Sequence, residues 1–151
     1  MKKYLLTITF LVSLLSSGFA QSQEKMLYSL GSSGAAVVFT TYQYLDLIYE
    51  GLIEQCHTVE QVANATRAQM GLLEVVQKSY QDLLDNGELT DPSDQMNIKR
   101  MVEIVNLLKE QATHLNSFSV DGDPKSQESF LTTKEEAWVR ISDLLGFGTD
   151  S

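Results

Sequence analysis

The chain has 151 residues, with 11 Lys and Arg against 20 Asp and Glu, a formal net charge of −9 and a sequence pI near 4.6. That length suffices for one domain with a real core, and the acidic balance argues against nucleic acid and anionic lipid surfaces, which basic patches hold. Cys56 is the only cysteine, so no intrachain disulfide can form and packing alone must hold the fold.

The chain opens MKKYLLTITFLVSLLSSGFAQ. Two lysines, a Leu-rich run from Leu5 to Leu15, and small residues at Gly18 and Ala20 have the pattern of a cleavable secretory signal peptide over 1–20. The apolar run falls short of the ~20 residues a spanning helix needs. No stable membrane span is expected after cleavage. The residue directly after Ala20 is Gln21 and not Cys, so a lipid anchor is unsupported. Loss of Lys2 and Lys3 leaves nine basic against twenty acidic residues, a net charge of −11. The expectation is an exported bacterial protein, periplasmic or secreted.

Residues 21–34 are a polar, then mixed lead-in that ends in Gly31-Ser-Ser-Gly34. The two glycines weaken a helix there. The bundle domain is expected over 35–146, with a frayed tail at 147–151.

The first helix is predicted from about Ala35 to Cys56. Val38, Tyr42, Leu45, Tyr49, Leu52 and Cys56 recur at alternating four- and three-residue steps, which stack into one stripe at 3.6 residues per turn. Val37, Phe39, Ile48 and Ile53 flank it and widen the apolar arc. Gln43, Asp46, Glu50 and Glu54 fall opposite. Thr58-Val-Glu-Gln61 then has the form of a capping box, which predicts a turn at His57 and a second helix. No Gly or Pro marks that reversal, so a single long bent helix is the rival.

The second helix, about Val59 to Asp85, carries Val59, Val62, Ala63, Thr66, Met70, Leu73, Tyr80 and Leu84 on one stripe and ends before Asn86-Gly87. Asp91-Pro92 begins the third, with Asp as N-cap and Pro at the first helical position. Its periodicity runs from Met101 to Leu115 and predicts an end near Asn116, followed by a loop over 117–123. A second Asp-Pro pair, Asp123-Pro124, begins the fourth helix, which stops at Gly146; Thr133 with Glu136 offers a later start or a break. No period-two run reads as a strand. Four amphipathic helices with short connections make an all-α, up-down-up-down four-helix bundle.

Candidate chemistry is sparse. Glu50, Glu54 and His57, joined by His114, form a candidate divalent-metal set, because clustered oxygen ligands with imidazole suit such ions and Glu54-Gln-Cys-His57 has the Glu-x-x-His form of carboxylate bundles. Those bundles carry a second copy, which is absent, and a solvated acidic face explains the same residues. Cys-x-x-Cys-His, a full calcium loop, Gly-x-Ser-x-Gly, a phosphate loop and His-Glu-x-x-His are all missing. No catalytic residue and no cofactor is expected, and the chain does not read as an enzyme. Tyr44, Leu47 and Ile48 are the candidate partner-binding patch, for an unknown protein or a second copy.

Overall fold

A computed structural model of the chain describes residues 30–87 and 89–147. The expected signal peptide, most of the lead-in and most of the tail lie outside the described residues. The chain divides into two compact units, Met1–Ser33 and Gly34–Ser151. Of the first, residues 30–33 are described; they are helical, and Ser33 Oγ donates to the Leu30 carbonyl at 3.2 Å.

All regular structure among the described residues is helical: α1 over 30–53, α2 Val59–Asp85, α3 Pro92–Asp121 and α4 Pro124–Leu145. The chain is an all-α helical bundle. Cap chemistry fixes most boundaries. Thr58 Oγ1 accepts from Gln61 N–H at 3.2 Å while Gln61 Oε1 accepts from Thr58 N–H at 2.8 Å, a complete capping box at the head of α2. Asp91 Oδ1 accepts from the Ser93 backbone and hydroxyl, and Asp123 Oδ1 from Lys125 N–H, each just before a proline at the start of its helix. Gly87, Gly122 and Gly146 all sit at positive φ, where α2, α3 and α4 stop.

α1 ends differently. The helix stops at Ile53, and Gln55 takes the left-handed position, with φ 59°. Gln55 N–H donates to the Leu52 carbonyl at 3.1 Å and Cys56 N–H to the Gly51 carbonyl at 2.8 Å, the two bonds of a Schellman close. His57 N–H also reaches the Gly51 carbonyl, at 3.0 Å. The turn expected at His57 is therefore present, built on a side-chain-bearing residue where glycine is usual.

Paired residues set the helix directions. Tyr42 stacks on Trp138 (5.5 Å between centroids), Asp46 pairs with Lys134, and Tyr49 stacks on Phe130 (4.6 Å). As α1 advances α4 recedes, so the two are antiparallel. Thr41 meets Gln69 while Gly34 lies against Tyr80, which makes α2 antiparallel to α1. Gly34 also lies against Met101, and Tyr49 against Phe118, so α1 and α3 run together. Gln77 links α2 to α3 through Asn106 (2.7 Å) and Lys109 (3.0 Å).

Leu45, Ile48, Val62, Ala112, Leu115 and Phe130 form a core cluster with contributions from all four helices. Burying a side chain such as Phe130 contributes about 1.5–3 kcal/mol.

Several expectations need correction. Thr41 and Ile48 belong to the buried stripe of α1, whereas Leu52 is only half-buried; Tyr42 and Tyr49 sit half-buried at the core edge, where tyrosines on the stripe are expected. Tyrosine bodies pack while their hydroxyls seek partners, so they favour the margin: Tyr49 Oη accepts from Gln127 Nε2 at 2.8 Å. Cys56 is exposed, because the left-handed Gln55 takes the chain off the helix before the stripe reaches it. Asp46 is half-buried rather than solvated, through its pairing with Lys134. Val59, placed on the α2 stripe, is exposed. α3 continues through 117–121, held by Phe118 against Tyr49 and by buried Ser119, whose hydroxyl donates to the Asn116 carbonyl at 2.7 Å. α4 runs unbroken past Thr133, which is buried within the helix and caps nothing.

Candidate functional site

The surface between α1 and α2 holds an apolar groove of ≈ 330 Å³, lined by Ala36, Val37, Thr40, Thr41 and Tyr44 from α1 and by Gln69 and Leu72 from α2. Steps of one, three and four residues place the five α1 positions along one side of that helix. No lining residue carries a formal charge. In α1 the uncharged run reaches from residue 30 to Leu45, and in α2 from Ala68 to Leu73.

At the floor of the groove, buried Thr41 donates through Oγ1 to Gln69 Oε1 at 3.3 Å. The rim is Tyr44, 38% exposed, and Leu72, 43% exposed. Leu47, one turn beyond Tyr44, is 61% exposed. The arrangement is an open, shaped, apolar surface with two polar groups that already bond each other. It suits recognition of apolar side chains and offers no nucleophile–base pair.

Tyr44 and Leu47 of the expected patch are thus on the surface. Ile48 is not: at 7% exposure it belongs to the core with Leu45 and Phe130, one residue off the outer face. Thr40, Thr41, Gln69 and Leu72 were not singled out by periodicity. Leu72 could have been, since it lies one residue off the α2 stripe within an uncharged run. Thr41 and Gln69 carry no such signal, because their polarity says nothing of their burial.

The candidate metal residues are spread out. Glu50 and Glu54 are exposed along the end of α1, and the His57 imidazole lies against Gly51 at the turn. His114 is half-buried within α3. Among the described residues, no group of three or more His, Cys, Asp and Glu side chains could hold a metal ion.

Electrostatics on the other flank of α1 are structural. Burial next to Trp138, and secondarily the Asp46 carboxylate, hold the Tyr42 phenol above its ordinary pKa; burial does the same for Tyr80. The hydroxyl and backbone N–H of Ser93 hold the Asp91 carboxyl below the usual carboxylate value. Among the described residues, no helix is long and apolar enough to cross a membrane. Comparison of the chain with protein-family models, with curated proteins and with solved structures returns no match.

Proposed function

We propose that the chain is an exported acidic helical bundle that acts by binding a protein partner along the α1–α2 groove. One observation carries this reading: a groove with no charged lining residue, rimmed by Tyr44 and Leu72, on a chain of net charge −9. Tyrosine is among the residues enriched at the energetic centres of protein interfaces, and Tyr44 stands exposed at this rim beside Leu72. An amphipathic segment of the partner lays apolar side chains between Tyr44 and Leu72, and the acidic surround selects against acidic partners. Export rests on the pattern of residues 1–20 alone.

The test is capture from an envelope extract on immobilised protein, compared with Tyr44→Asp, Leu72→Asp and a control, Val139→Asp, on the exposed side of α4. A partner retained by wild type and control but lost by both groove variants supports the reading. A partner that all four retain refutes it.

A further inference from the structure

We propose that α1 exchanges between two copies of this chain: the α1–α2 turn straightens into one continuous helix, and α1 of each copy packs on α2, α3 and α4 of the other. This inference does not depend on the groove as a binding site.

Four observations point to it. First, the connection from Glu54 to Thr58 contains neither Gly nor Pro. The other two connections each hold a left-handed glycine (Gly87, Gly122) and a proline just after the next cap, which forbid a continuous helix. Second, Gln55 is the one non-glycine residue at positive φ among the described residues, and a helix through it would release that strain.

Third, the buried residues of the two helices share one phase. Thr41, Leu45 and Ile48 on α1 and Val62, Thr66 and Leu73 on α2 all fall on a single series of alternating four- and three-residue steps counted through the turn. A straightened rod keeps both buried faces on one side, as a long bundle helix requires. Fourth, the α1 face is buried at Val38 and Leu45, so an opened α1 needs an identical surface to cover it. A second copy, opened in the same way, supplies that surface. Short strained connections favour such exchange.

Gly51 holds the closed form. Its carbonyl accepts from Cys56 and His57, and a Cβ on it would collide with the His57 ring. Gly51 is helical in both forms, so Gly51→Ala acts through the collision with His57 and opposes the closed turn, whereas Gln55→Gly favours the turn and opposes helix.

The test refolds the full chain at high concentration, dilutes it, and measures mass by size exclusion with light scattering. The exposed Cys56 takes donor or acceptor dye for a mixing experiment. The expected result is a dimer that persists on dilution, with dyes exchanging only after unfolding and refolding. Gly51→Ala raises the dimer fraction, and Gln55→Gly lowers the dimer association constant by roughly tenfold or more. Should Gly51→Ala fail to fold, as read by circular dichroism, Gln55→Gly against wild type decides. Monomers at every concentration in wild type and folded variants overturn the proposal. So does a dimer that separates at once on dilution, which is surface docking, or one that Gln55→Gly leaves unchanged.

Discussion

The imidazole of His57 stands where a side chain on Gly51 would have to go. That contact, with the Gly51 carbonyl bonded to two successive N–H groups, turns the chain back on itself without a glycine at the left-handed position. Gln55 takes that position instead. A non-glycine residue there costs about 1–2 kcal/mol. Gln55→Gly is expected to raise the unfolding free energy of the monomer by about 1 kcal/mol, part of the relief being offset by backbone entropy. Urea denaturation at low protein concentration reads it, and a lowered midpoint would mean the turn is held in another way.

Gln111 is fully buried, and neither its amide nitrogen nor its amide oxygen has a hydrogen-bond partner. A buried polar group left unpaired costs about 1–3 kcal/mol. Gln111→Met keeps the length of the side chain and removes both polar atoms, so the unfolding free energy measured by urea denaturation should rise by an amount of that order. A loss of stability would show that the amide is satisfied by something other than the protein.

The N-caps can be compared directly. Thr58→Ala and Asp123→Ala should each destabilise by about 1 kcal/mol, through loss of a bond to the first turn, and Asp91→Ala should act in the same direction. For Asp91 the sign of the acid dependence follows from its lowered pKa. Its stabilisation is present above the ordinary value of 3.8 and is lost as pH falls through the lower folded value. The Asp91→Ala variant should therefore lose less stability than wild type on acidification. An identical acid limb in both would contradict the assignment.

Tyr42 and Tyr80 give the opposite limb. Both phenols are held above 10.0 in the folded chain, so the unfolded chain releases those protons first. Stability should be unaffected by these groups below pH 10.0 and should fall above it. In Tyr42→Phe the alkaline decline should be shallower. Thermal melts across that range measure it, and an unchanged slope would count against burial as the cause.

What the sequence made legible was local chemistry. Thr58 with Gln61, the two Asp-Pro pairs and Gly146 announce their caps because the same few atoms make the motif wherever it occurs. The all-α class follows from periodicity. The remainder was decided by packing between distant residues. Ser117 to Val120 lacks helical character of its own, and only Phe118 against Tyr49 and buried Ser119 explain why α3 continues. Thr41 and Gln111 are polar residues that packing buries, while Cys56, on the expected apolar stripe, is exposed. Of the groove's lining, Tyr44 alone belonged to the expected patch: Leu47 lies one turn beyond it, Leu72 is brought in from α2, and Ile48 belongs to the core.

The most direct test of the groove as the binding surface is hydroxyl-radical footprinting with and without the captured partner. Protection should concentrate on Tyr44 and Leu72 and leave Trp138 and Leu131, exposed on α4, as reactive as in the free chain. Protection of Trp138 and Leu131, with Tyr44 and Leu72 unchanged, would contradict it.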